Sequence, residues 1–124
     1  MKVFTSDAQK KGKIGEDAVC TYLTNQGFLI VEKNFTRAWG EIDIVARKGG
    51  VTHFIEVKAV THENTGLRPE DQMHSLKQKK LRRMIETYIT GRRIGDWQFD
   101  VACVYLDMQE RRARIKMLSD IILA

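Results

Sequence analysis

The chain has little that would hold a soft metal or a crosslink. Its 124 residues include only two cysteines, Cys20 and Cys103, far apart and each within an apolar run. Buried free thiols are the reading that follows, and a reducing cytoplasm fits it. There is no Cys-x-x-Cys or His-x-x-x-His spacing, so zinc has no ligand set. His53, His62 and His74 have no triad partner at a recognisable spacing and read as surface or packing residues. No apolar run approaches the ~20 residues of a membrane span. Met1 to Lys13 is polar and basic with no apolar stretch behind it, unlike a secretory signal. Repeats and low-complexity segments are absent. The length suits one core, so a single domain over residues 1–124 is expected, with 1–12 frayed.

What is present begins with charge. The net charge is +5 and the isoelectric point is near 9.4, a moderate bias toward polyanions. It is unevenly spread. Between Arg68 and Arg93 eight basic residues face three acidic ones, which accounts for the excess of the whole chain. A basic helix is therefore the candidate contact for a polyanion, with a solvated helix face as the plainer alternative.

Ile14, Ala18, Val19, Tyr22 and Leu23 recur at helical spacing, predicting a first helix from Lys13 to Gln26 with Gly27 as its stop. Glu16 falls in its first turn, where an acid favours the helix dipole. Phe28 to Asn34 predicts a strand and Phe35 to Trp39 a linker. Thr61 to Arg68 reads as a polar loop on the side where a ligand would sit, either a substrate grip or an ordinary connection. The single proline, Pro69, fits the first position of a second helix running to Thr90. Trp97 to Leu106 and Arg111 to Leu118 predict two more strands, the last with Ala113, Ile115 and Met117 inward and Arg112, Arg114 and Lys116 outward. Ile121 to Leu123 closes the chain as a short turn. The order α-β-β-β-α-β-β gives an α/β fold. Its mixed sheet of about five strands starts as an antiparallel meander, takes a parallel strand through the helix crossover, and carries a helix on each side.

The chemistry concentrates between Gly40 and Lys58. Glu41 to Ala46 and Val51 to Ala59 are period-two runs flanking Arg47-Lys48-Gly49-Gly50, the pattern of a β-hairpin. Alternation puts Glu41, Asp43 and Val45 on one face and Ile42, Ile44 and Ala46 on the other. Glu56 and Lys58 share a face of the second strand. If the pairing centres on the turn, Asp43 falls opposite residues 54 to 56, directly across or diagonal to Glu56 at roughly 5–8 Å. A slip of one residue would separate them. Carboxylates so placed repel, and burial raises the cost. A divalent cation would relieve it, and a hard oxygen set suits magnesium or manganese. The alternative is a solvated sheet face with a Glu–Lys pair.

An acid in the first helix, Asp43 on the second strand and Glu56-Val57-Lys58 on the third resemble the restriction-endonuclease-like nucleases, whose motif is Asp followed by Glu/Asp-x-Lys. The closer resemblance is to the YraN-like family of small bacterial proteins. It is carried by Gly15-Glu16, Ala18, Tyr22-Leu23, Gly27-Phe28, Asn34, Gly40-Glu41-Ile42-Asp43, Phe54-Ile55-Glu56-Val57-Lys58, Lys77-Gln78, Leu81, Tyr88-Ile89 and Phe99-Asp100-Val101. Archaeal Holliday-junction resolvases look similar over the first half. The chain departs from the family pattern at Thr36, Ala59 and Gln98, where an arginine, a polar or basic residue and an arginine are expected.

The resemblance implies phosphodiester hydrolysis with magnesium or manganese. Asp43 and Glu56 would be ligands, with the Val57 carbonyl, Glu16 and Glu41 as further candidates. Lys58 would orient or deprotonate water, or stabilise developing charge. Glu41 has an alternative role in pairing with an arginine, and Asp100 reads as half of a structural salt bridge. Trp39 reads as packing on a sheet edge. Lys77, Lys79, Lys80, Arg83 and Arg37 would meet backbone phosphates. DNA, branched or damaged, is the expected partner, with no membrane, and the chain as monomer or homodimer. Two other classes stay open: a silent nucleic-acid-binding module on the same fold, and a protein-interaction subunit.

Overall fold

The computed structural model describes residues 7–61 and 75–123. The elements run α1 (Asp7–Asn25), β1 (Leu29–Arg37), β2 (Gly40–Lys48), β3 (Val51–Thr61), α2 (Ser75–Ile89), β4 (Trp97–Asp107) and β5 (Arg112–Leu118). The strands form one sheet in the order β1-β2-β3-β4-β5. Among the described strands, the β3–β4 pair is parallel and the others are antiparallel. This is an α/β fold with a mixed sheet between two helices, the arrangement of a restriction-endonuclease-like domain.

Each helix covers one face. On the first face, Val19 and Leu23 of α1 pack on Ile44 and Ala46 of β2, Ile55 of β3, and Ala102, Val104 and Leu106 of β4. On the second, Leu81, Met84, Ile85 and Tyr88 of α2 pack on Phe35, Ile42, Val45, Phe54, Phe99, Val101 and Cys103. Fully burying one such side chain contributes roughly 1.5–3 kcal/mol. The β2–β3 turn is built from Gly49 (φ 58°) and Gly50 (φ 78°) between the paired Lys48 and Val51. Two successive positive φ values make the mirror-image turn that matches strand twist, and glycine adopts them without strain.

Several boundaries differ from the sequence reading. The first helix starts at Asp7, not Lys13. Its added turns carry mostly polar residues, so they leave no apolar stripe to detect. Glu16 consequently lies mid-helix, and the helix-dipole reading fails. Phe35 to Arg37 belongs to β1 rather than to a linker, because Phe35 is buried against α2 and pairs with Ile42. Gly40 and Lys48 extend β2, and Val60 and Thr61 extend β3. The Thr61 to Arg68 loop beyond Thr61, and the second helix before Ser75, lie outside the described residues. Neither cysteine is in a disulfide; Cys103 is buried and Cys20 half-buried. The C-terminal segment tucks back as expected, with the Ile121 N–H donating to the Phe99 carbonyl at 2.8 Å, but residues 121–123 form no turn.

Candidate metal centre

The site lies where the sheet splits. The β2–β3 ladder runs from Lys48↔Val51 to Ile44↔Ile55, an odd-sum register, and stops. Beyond that point β2 stays with β1 as far as Arg37↔Gly40, while β3 stays with β4 from Glu56↔Val101 to Thr61↔Leu106. Asp43 and Glu56 are the first residues past the split. Asp43 Oδ2 accepts the Val57 N–H at 2.7 Å, so the carboxylate occupies the gap that the missing strand pairing leaves.

Strict alternation of β2 does not hold. Ile42 packs on the α2 face and Ile44 on the α1 face, although residues two apart should share one. The pleat slips at Asp43. β1 slips in step, at Asn34, which has a positive φ of 54°. Lys33 and Asn34 in consequence both reach α1. Lys33 Nζ donates to Asp17 Oδ1 at 3.1 Å, and Asn34 Nδ2 donates to Glu16 Oε1 at 3.0 Å. Asn is among the few side chains that enter the left-handed region readily.

Helix α1 brings the third acid. A Cβ on Gly15 would stand 3.0 Å from Ala59 Cβ and 3.7 Å from Val57 Cγ1. The absence of a side chain at 15 and a small one at 59 therefore let α1 lie close on β3, which delivers Glu16 to the split. One carboxylate oxygen each from Glu16, Glu41 and Asp43 lies within 4.8 Å of the other two. Glu56 is buried, and its Oε1 receives Lys58 Nζ at 3.2 Å. The cleft in front of Asp43 has a volume of about 240 Å³ and is lined by Glu41, Glu56, Lys80, Leu81 and Met84 among others.

The electrostatics follow from crowding. Burial, then the charge of Glu56, push the Asp43 carboxyl up to about 8, against the Val57 N–H, which lowers it. Glu16 is raised by burial and by Glu41. Glu41 is raised by burial and by Glu56. Three acids raised together are the state that a divalent cation converts to full ionisation. The donors are hard oxygens, so the residues fit magnesium or manganese. Of the sequence-selected residues, Glu16, Glu41 and Asp43 form the tight group. Glu56 stands beside it with Lys58, and Val57 contributes its amide to Asp43.

The basic residues gather on the α2 side. Lys79, Lys80, Arg83 and Arg37 are exposed, and Lys80 also lines the cleft. The Lys77 side chain lies outside what is described. Arg83 stacks over Trp39 at 4.7 Å, Arg37 over Phe35 at 4.3 Å, and Arg92 over Tyr88 at 4.1 Å. The Trp39 indole N–H donates to Thr87 Oγ1 at 3.4 Å, which holds the indole against α2.

Asp100 is not at this site. It pairs in register with Ile55, on the α1 face, whereas Glu56 and Val101 point the other way. His53, read above as a surface or packing residue, is its partner, with Nδ1 2.6 Å from Asp100 Oδ2. Gln98 Nε2 and the Asp120 N–H donate to Oδ1 at 2.8 and 2.9 Å. Gln98, where the resemblance led to the expectation of an arginine, is a neutral donor to this carboxylate. The residue that sequence reasoning used only as a family marker is Asn34. Its signal, an Asn inside an apolar strand next to a charge reversal, is visible but not specific.

Comparison with known proteins agrees with the resemblance. The model of an uncharacterised protein family, UPF0102, matches residues 15–104. A UPF0102 protein of Moorella thermoacetica is 35% identical over 116 residues, 92% of this chain and 96% of its own length. One from Dictyoglomus turgidum is 34% identical over 77% of this chain and 81% of its own. One from Campylobacter lari is 40% identical over 75% and 81%.

Proposed function

The chain belongs to the uncharacterised protein family UPF0102, and for it we propose a metal-dependent nuclease that hydrolyses phosphodiester bonds in DNA. The observation that carries this reading is Asp43 seated in the split between β2 and β3. There it sits among carboxylates from α1, β2 and β3 and beside the Glu56–Lys58 pair.

The acids Glu16, Glu41, Asp43 and Glu56 would hold magnesium or manganese. Bound there, such an ion lowers the pKa of a water and neutralises charge on a scissile phosphate. The Val57 amide fixes the Asp43 carboxylate, and Asn34 fixes Glu16, so two ligands are oriented before any ion arrives. Lys58 is held by Glu56, and its ammonium would stabilise charge developing on the phosphate or orient the attacking water. Lys79, Lys80 and Arg83 place the backbone over the cleft without reading sequence.

The test is cleavage of labelled linear, nicked, flap and four-way-junction DNA with magnesium or manganese, beside a Glu56→Ala/Lys58→Ala double variant. Metal-dependent cutting by the wild type, lost in the variant, supports the reading and reveals the preferred structure. Binding without cutting, unchanged by metal or by the variant, leaves a nucleic-acid-binding module.

A further inference from the structure

Strand β5 carries Arg112, Arg114 and Lys116 at alternate positions, all exposed. Their neighbours Ile115 and Met117 pack on the α1 face. The three cations therefore point to the α2 face, the one that bears Glu56 and Lys58. The ladders fix where they stand. Lys116 is across from Cys103, which is across from Lys58. Arg114 is across from Tyr105, which is across from Val60. Two strand spacings separate Lys116 from Lys58, about 10 Å, or roughly three base-pair rises along one nucleic-acid strand. Helix α2 packs over β2, on the other side of the centre.

The Arg114 guanidinium lies 4.2 Å over the Tyr105 ring, a contact that holds a cation without neutralising it. Beside this contact, where the ends of β3 and β4 meet the start of β5, is a hollow of about 420 Å³ lined by Val60, Thr61, Tyr105, Asp107, Arg112 and Arg114 among others. Thr61 Oγ1 is buried there with no hydrogen-bond partner among the described residues. The acid in this lining, Asp107, accepts the Glu110 N–H at 3.1 Å in the β4–β5 turn.

Resting on the nuclease reading, we propose that Arg112, Arg114 and Lys116 form a second phosphate-binding arm. It grips the DNA backbone on the far side of the acidic centre from α2, so that one strand crosses Glu56 and Lys58 between two cationic rails. The competing account is that charges on an edge strand merely block edge-to-edge pairing.

The experiment is salt-dependent binding of labelled duplex and four-way-junction DNA to the full chain carrying Glu56→Ala, which removes cutting. Three further variants are compared: Arg112→Ser/Arg114→Ser/Lys116→Ser on β5, Lys79→Ser/Lys80→Ser/Arg83→Ser on α2, and the charge-keeping Arg112→Lys/Arg114→Lys. Each lost phosphate contact flattens the log–log salt slope by about 0.9. The β5 triple variant is expected to lose about two to three units of slope and bind roughly 10- to 100-fold more weakly at low salt, while the Arg→Lys variant keeps its slope. A β5 variant with unchanged slope beside a weakened α2 variant overturns the second arm and leaves the nuclease reading standing. A β5 variant that self-associates on gel filtration at unchanged slope overturns it in favour of edge protection. Failure of the parent chain to bind DNA at all overturns both.

Discussion

Two aspartates are drawn into this sheet, and their surroundings differ in kind. Asp100 is 2% exposed and receives His53, Gln98 and the Asp120 amide. Asp43 receives one amide and faces Glu56, Glu16 and Glu41. The first carboxylate is compensated by the protein, and its network ties β3, β4 and the C-terminal segment together. The second is left under-compensated where the sheet splits. A fold that can supply donors at one buried acid and instead supplies acids at another leaves room for a cation from outside.

The comparison breaks most sharply in activity. Asp43→Asn keeps the shape and removes the charge, and Glu56→Ala/Lys58→Ala removes the neighbouring pair. Each is expected to lower metal-dependent cleavage at least about 1000-fold, because several kcal/mol of charge stabilisation go with the site. His53→Gln, at the other aspartate, is expected to change the cleavage rate less than about threefold once folding is matched by temperature. Single-turnover rates on a common substrate measure both. Equal losses at the two aspartates would erase the distinction.

Stability should move in the opposite sense. The raised Asp43 carboxyl means that the folded chain holds a proton the unfolded chain has released, between its ordinary 3.8 and about 8. In that window the native state binds more protons, so stability falls as pH rises, and the favourable contribution is gone above about 8. In chelator at pH 8, Asp43→Asn is expected to stabilise the fold by about 3 kcal/mol, after allowing for solvent at the mouth of the cleft, and so to raise the Tm. At pH 4 the gain vanishes. Magnesium should raise the wild-type Tm at pH 8 and do much less for the variant. Thermal melts across pH, with and without metal, decide it.

Asp100→Ala is expected to do the reverse, costing about 2–3 kcal/mol, or roughly 10 °C in Tm, since it strands a histidine nitrogen, an amide side chain and a backbone N–H. A loss below about 0.5 kcal/mol in the same melts would mean the network is dispensable.

How much of this contrast could be read from residues alone depends on range. The hairpin was legible because Gly49-Gly50 and the flanking alternation are local. So was helix α2, where Leu81, Met84, Ile85 and Tyr88 recur at helical spacing and are all buried. The odd-sum register put Asp43 near Glu56 by arithmetic from the turn. The pleat slip was not legible, because it goes with a long-range contact, Asn34 to Glu16 across 18 residues. His53 with Asp100 is another such case, a contact between positions 47 apart that touch only because β4 returns parallel to β3. The polar start of α1 was missed because periodicity detects burial, and those turns have little.

The smallest effect tests whether placing the acids, beyond having them, makes the difference between the two aspartates. Gly15→Ala would gain up to about 1 kcal/mol of helix propensity. Its new Cβ would stand 3.0 Å from Ala59 Cβ, closer than such atoms pack, so α1 must lift from β3 by a few tenths of an ångström. The two terms nearly cancel, and the Tm should shift by less than roughly 3 °C. Glu16 rides on the next residue, so the same small displacement moves one carboxylate of the trio while Asp43, held by the Val57 amide, stays. Cleavage is expected to fall about tenfold with little change in DNA affinity, and higher metal concentration should recover part of it. A variant with wild-type cleavage at every metal concentration would remove Glu16 from the centre and leave Asp43, Glu41 and Glu56 as its working set.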